Sequence, residues 1–267
     1  MIPKRNLSLL ANRLYKEHGG RRIPEAVLER DYCLAWFLVG LSQSRLGSFL
    51  SSRVAPPSSV VISATTASPK TSISRCRAGG SSRKFAKDWT RFSSALPRPR
   101  ESISPREDRQ HHANNYSFYL SYQGPLPHPN TVKVDITISE VLLFPVGQRP
   151  VLRAYPEFED LPEDRLVAVY GLNEIVTEKV VALSDPARNE PRNLYDLWYL
   201  TVEPGVDLSQ LVEAITEKLR FRQKNIAGLE GRILQKEQRL KALWTGRLGH
   251  QIEALPEFDE VFRAVRR

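Results

Sequence analysis

Four charged residues, Glu178, Lys179, Arg192 and Asp196, stand among Val, Ile, Leu and Trp residues in the stretch from Asn173 to Leu200. Charge in such company is costly to bury unless it is paired or used in chemistry. On pattern alone two readings stay open: ordinary salt bridges on the flanks of amphipathic helices, or charges kept for use in chemistry. A fifth residue, Asp135, interrupts the β-branched run Thr131–Ser139, where acidic residues are disfavoured. It is either a solvent-facing aspartate or a metal-binding carboxylate displayed on a sheet.

The elements that must position these residues follow from hydrophobic periodicity. Ile175, Val176, Val180, Ala182 and Leu183 recur at helical spacing, as do Leu194, Leu197, Trp198 and Leu200. This predicts two helices joined by a polar loop, with Asn173 as N-cap and Asp185-Pro186 as the stop. Upstream, residues 5–17 and 24–41 read as helices. Asn114–Leu126 reads as a strand with alternating aromatics, and Thr131–Ser139 as a second with Val132, Val134, Ile136 and Ile138 on one face. Two short strands are expected within Val141–Arg153 and at Leu166–Tyr170. Helices are expected at Leu208–Leu219 and Asn225–Trp244, with a short final helix in the tail ALPEFDEVFRAVRR.

The chain has 267 residues and a formal net charge of +9, which invites a nucleic-acid reading. The excess is local, however. Residues 44–113 hold 13 Lys/Arg against 4 Asp/Glu, and the remainder holds 26 of each sign. The charge therefore belongs to one segment and not to the fold. That segment, from Ser51 on, is rich in Ser, Pro, Thr and Arg without a sustained period, and reads as basic and disordered. So long an insert within a compact domain is improbable. Two cysteines, Cys33 and Cys76, have no metal or redox spacing, and the longest apolar run is too short to span a bilayer. No signal peptide is recognisable. The expectation is a cytoplasmic protein that does not enter a membrane.

Several motifs in order carry a family resemblance. They are D-Y-x-L-x-W-x-L (Asp31 to Leu38), YQGPL (Tyr122 to Leu126), VKVDIT (Val132 to Thr137), VYGLNEIVTEKVVAL (Val169 to Leu183), PRNLYDLWYL (Pro191 to Leu200) and the terminal LPEFDEV. In this combination the chain resembles the AbiEii/AbiGii nucleotidyltransferase-toxin family, outside Ser51 to about Arg109. The resemblance implies an α+β fold. A nucleotidyltransferase-like mixed sheet would be preceded by N-terminal helices and followed by a helical C-terminal half, with the central segment disordered. The corresponding division is 1–50, 51–113, 114–200 and 201–267. It also implies that Asp135, Lys179 and Asp196 are catalytic, that Asp135 is a metal ligand, and that Lys179 and Arg192 contact the nucleotide, Arg192 bracing Asp196. Mg²⁺ would be the cofactor, an NTP the substrate, RNA a candidate acceptor, and a protein encoded nearby the cognate antitoxin.

Two family signatures are missing between the Asp31 helix and YQGPL: a phosphate-cradling turn of the type F-K-G-G-T-x-L and an acidic motif of the type R-F-S-E-D-L-D-F. Read one register over, with suitable synonymous codons, the stretch from Ser51 to Ser74 spells F-K-G-G-T-A-L-L-R-R-D-F-G-D-Y-R-F-S-E-D-L-D-F. Two bases of every shifted codon are fixed by the protein, so recovering both motifs at correct spacing by chance is very improbable. This points to a one-base slip after Leu50, with the frame restored between Cys76 and Asn114. As written, the chain would lack the glycine turn and the paired aspartates, the strand at Thr131–Ser139 would lose its partner, and Asp135 alone could not organise a metal. Three functions remain in view. They are a nucleotidyltransferase-like toxin inactive as written, a non-catalytic pseudogene product or partner-binding remnant, and a protein whose Arg/Ser-rich insert tethers nucleic acid.

Overall fold

The structure is a computed structural model. It describes residues 2–44 (apart from 18 and 21), 50–52, 70–75, 104–112, 115–137 and 141–266 (apart from 250, 251 and 253). Two units emerge. The first comprises residues 1–140 and 146–169, and the second residues 141–145 and 170–267.

The first unit opens with helices α1 (Lys4–Glu17) and α2 (Glu25–Ser42). Leu7, Leu10 and Leu14 recur at i, i+3 and i+7, so one face of α1 is fully apolar and buried. It packs with Leu28, Tyr32, Ala35 and Val39 of α2 and with Val151, Tyr155, Phe158 and Leu161. Tyr32 carries a polar tip into this core and satisfies it locally. Its hydroxyl donates to Asp160 Oδ2 at 2.5 Å and accepts the Ile2 N–H at 3.0 Å.

Among the described residues seven strands form one sheet: β1 (Leu50–Ser52), β2 (Lys70–Arg75), β3 (Ser104–His112), β4 (Asn115–Tyr122), β5 (Asn130–Thr137), β6 (Val146–Pro150) and β7 (Leu166–Tyr170). Their order across the sheet is β3-β4-β5-β2-β1-β7-β6, with β2–β5 and β1–β7 parallel and β3–β4–β5 antiparallel. The sheet is therefore mixed, and Val132 and Val134 bury one of its faces.

Of residues 51–113, those described are 51–52, 70–75 and 104–112, in β1, β2 and β3, and β1 and β2 lie in the interior of the sheet. The rest of that stretch, including the positions where the family's glycine turn would fall, lies outside the described residues. One expectation is corrected: β5 is not without a partner, because β2 pairs with it in register from Lys70↔Lys133 to Ser74↔Thr137. Alternation over Thr71, Ser72 and Ile73 suffices for pairing once a parallel neighbour supplies the ladder. The strand expected within Val141–Arg153 is only Val146–Pro150, and the 131–139 strand is described to Thr137.

The second unit is helical: α3 (Leu172–Leu183), α4 (Pro191–Val202), a 3-10 turn at Leu208–Leu211, α5 (Val212–Phe221), α6 (Leu229–Leu234), α7 (Glu237–Leu248) and α8 (Phe258–Val265). Leu194, Leu197 and Leu200 of α4 meet a core that includes Leu240 and Trp244 of α7 and Val261 and Phe262 of α8. Trp244 stacks edge-on against Phe258 and donates its indole N–H to Pro256 O at 2.9 Å, which seats the tail. The single basic helix expected over 225–244 is two helices broken at Gln235–Lys236. Asn173 is not the N-cap of α3; Gly171 is, and Asn173 lies in the first turn.

Candidate functional site

The charges on α3 separate into two groups because Glu174 and Glu178 lie one turn apart on one face, while Lys179 is rotated about 100° from Glu178. Lys179 reaches α4, where its Nζ pairs with Asp196 Oδ2. Arg192, one turn before Asp196, brings its Nε to 3.7 Å from the same oxygen. Side-chain exposures are 26% for Lys179, 24% for Arg192 and 17% for Asp196. The trio is thus partly desolvated yet reachable from solvent, as a site for an anionic ligand must be. Tyr195 and Tyr199 stack beside it on α4, with ring centroids 6.3 Å apart. The loop geometry follows from Pro191 at the first turn of α4, where a missing N–H is harmless.

Glu178, grouped with these residues by sequence, belongs elsewhere. It and Glu174 enclose the ammonium of Lys218 on α5, all three at most 7% exposed. Lys218 Nζ lies 2.5 Å from Glu174 Oε1, and Arg222 Nη2 donates to Glu178 Oε2 at 2.9 Å. The other Glu174 oxygen accepts the backbone N–H groups of Leu143 and Phe144 at 3.0 and 3.1 Å. Burial opposes the Lys218 charge, but the Glu178 carboxylate and the hydrogen bonds that Lys218 donates to both glutamates outweigh it and raise its pKa above the ordinary lysine value. This network is structural: every charge in it faces an opposite charge or a backbone donor.

Lys236, at the break between α6 and α7, was missed by sequence reasoning. Its Nζ donates to three carbonyl oxygens of the α3–α4 loop, those of Leu183 and Arg188 at 2.7 Å and that of Asp185. Burial holds its pKa below the ordinary lysine value despite Asp185 nearby. The loop that spaces Lys179 from Asp196 is therefore pinned by an internal cation.

The YQGPL motif docks, in the first unit, on the helix that carries the Asp31–Leu38 motif. Glu29 of α2, 1% exposed, accepts the Leu126 N–H at 2.8 Å. A Cβ on Gly124 would fall 2.2 Å from Glu29 Oε1, so the YQGPL turn needs glycine for close approach and not for its dihedrals. Burial raises the Glu29 pKa, partly offset by the Leu126 hydrogen bond.

Asp135 lies on β5 in the first unit, whereas Lys179, Arg192 and Asp196 lie in the second. Within the second unit the structure brings Lys179, Arg192 and Asp196 together. Among the described residues there is no cluster of three or more His, Cys, Asp or Glu side chains suited to a metal ion. No described helix is long and apolar enough to cross a membrane.

The family model for the nucleotidyl transferase AbiEii toxin of type IV toxin–antitoxin systems matches residues 76–264. The chain belongs to this family. The AbiEii match takes in β3–β7 and the second unit as far as Ala264, and leaves out α1, α2, β1 and β2. Among curated protein sequences none matches it. Of solved structures, JHP933 from Helicobacter pylori aligns with TM-score 0.50 and 11% identity over 91% of this chain and 90% of that one. MenT4, a nucleotidyltransferase toxin from Mycobacterium tuberculosis, aligns with TM-score 0.45 and 12% identity over 96% and 98%. At such identities the JHP933 likeness shows the fold alone. The α+β class with a mixed sheet and a helical C-terminal half is that of this AbiEii chain.

Proposed function

We propose that the chain descends from a toxin that transfers a nucleotide from an NTP to an acceptor such as RNA, and that the form written here does not catalyse the transfer. One observation carries this reading. The Lys179–Asp196–Arg192 cluster is assembled on α3 and α4, whereas the family match begins only at Cys76, after the stretch where the glycine turn and acidic motif belong. Lys179 and Arg192 supply positive charge for nucleotide phosphates, and Asp196 holds both cations in place until the ligand arrives. Asp135 is the remaining carboxylate of a Mg²⁺ site whose other members the slipped frame removed. Nucleotidyl transfer relies on backbone N–H groups around the triphosphate and on clustered carboxylates holding the metal. A co-encoded antitoxin, cytoplasmic like the toxin, is the counterpart in the system.

The test is label transfer from radiolabelled NTPs with Mg²⁺ and total RNA, using this chain and a version with the frame corrected over Ser51–Ser74. Transfer is expected from the corrected chain alone, and should fall at least about 100-fold in its Lys179→Met variant. Transfer by the chain as written would refute the reading. The alternative, a remnant that only binds a partner, draws on the complete core of the second unit. It is favoured if the corrected chain is also silent.

A further inference from the structure

Beyond Asp196 the same face of α4 carries an aromatic ring. Positions 192, 196, 199 and 203 recur at helical spacing, so Arg192, Asp196, Tyr199 and Glu203 form one stripe along the helix. Tyr199 is half-buried and Glu203 exposed. The Tyr199 ring lies nearly parallel to that of Tyr195, at 19° and 6.3 Å between centroids. Tyr195 is only 8% exposed and packs in turn against Trp198 and Trp244, with centroids 5.7 and 6.4 Å away. Tyr199 is therefore a partly exposed ring backed by an aromatic cluster rooted in the core of the second unit.

Charge along the stripe has a direction. Lys179 and Arg192 flank Asp196 on the side of the α4 N-terminus, the positive end of the helix dipole. Glu203 and the negative end lie beyond Tyr199. A polyphosphate is drawn toward Arg192 and repelled from Glu203. Tyr199 follows Asp196 by about 4.5 Å of helix rise, which leaves a ribose room between phosphate and ring. We infer that Tyr199 is the base platform of this site: the nucleobase of an NTP stacks on its ring while Lys179 and Arg192 hold the phosphates. Every base has a π-face, so the platform selects for a base and not for one base. Its backing by Tyr195 orders the ring before the ligand arrives, which lowers the cost of binding. The inference rests on the reading of Lys179 and Arg192 as nucleotide contacts, but not on transfer activity.

The test is isothermal titration of the full-length chain, without metal and at low salt, with ATP, UTP and inorganic tripolyphosphate. The unaltered chain is expected to bind either NTP at least about fivefold tighter than tripolyphosphate. Tyr199→Leu should erase that preference and leave tripolyphosphate affinity unchanged, whereas Tyr199→Phe should keep it. Lys179→Met should weaken all three ligands. A preference absent from the unaltered chain, or undiminished in Tyr199→Leu, overturns the inference. So does its loss in Tyr199→Phe, which would give the role to the hydroxyl. Binding of a single-stranded oligoribonucleotide that depends on Tyr199, without a Tyr199-dependent NTP preference, would assign the ring to the acceptor and overturn it too. If Tyr199→Leu does not fold, Tyr199→Trp decides: NTP must quench the added indole fluorescence, and tripolyphosphate must not. Failure of the frame-corrected chain to transfer label leaves these binding results standing, so the two ideas fail separately.

Discussion

Lys179 and Lys218 are chemically identical, sit within one helical unit and each face carboxylates, yet their environments assign them different work. Lys218 is sealed between Glu174 and Glu178. Removing its charge leaves buried Glu174 with backbone donors alone and Glu178 with Arg222, which costs about 3–5 kcal/mol. Lys179 is a quarter exposed, and water can solvate Asp196 once it is gone, so the loss there is about 1 kcal/mol or less. Lys218→Met is therefore expected to lower the melting temperature far more than Lys179→Met, as differential scanning calorimetry would show. Equal losses would mean that the two clusters are energetically alike. Lys218 was legible in principle. It continues the apolar spacing Leu211, Ile215, Leu219 on the inner face of its helix, and a lysine there needs a buried anion. What hid it was distance, since its partner Glu178 is 40 residues away.

Elements show the same division between what periodicity reveals and what tertiary contact decides. The apolar repeats of α1, α3 and α4 announce their helices, and the strand expected at Leu166–Tyr170 has those bounds. The α6–α7 break was not visible, because Gln235-Lys236-Glu237 is a polar run like any solvated helix face. The cause is Lys236, whose ammonium is drawn into the α3–α4 loop. β2 was hidden for a different reason: its six residues sit in a Ser-rich stretch whose composition resembles a disordered segment, and the ladders with β5 and β1 make it a strand. Lys236→Met keeps the length of the side chain but deletes three charge-assisted hydrogen bonds. The expected cost is about 2–4 kcal/mol, with faster proteolysis confined to residues 184–190. Cleavage there unchanged from the parent would show that the loop holds itself.

On the scale of the whole molecule the two units respond differently to pH. In the first, burial pushes the Asp31 carboxyl up to about 7 against the pull of Arg30, and Asp31 Oδ2 has no hydrogen-bond partner among the described residues. Its folded pKa exceeds the ordinary 3.8, so between those values the folded state binds more protons than the unfolded one. Its contribution is complete below about pH 4 and is lost as pH rises through 7. Allowing for its partial exposure, the change amounts to about 2 kcal/mol. In the second unit the raised Lys218 pKa contributes stability that is lost only in strong alkali, above the ordinary lysine range. Calorimetry from pH 5 to pH 8 should therefore show the transition of the first unit moving down while that of the second holds. Asp31→Asn should remove the drift, and a drift that persists in that variant would locate its origin elsewhere.

The five residues Val141–Pro145 belong to the second unit although the chain then returns to the first for β6 and β7. During synthesis they leave the ribosome early, and the Leu143 and Phe144 amides wait for the Glu174 carboxylate, which follows some 30 residues later. At ribosomal speeds this is a delay of roughly 2–6 s. For that interval the nascent second unit has an anchor and no body, and a fragment begun at Tyr170 would have the body without its anchor.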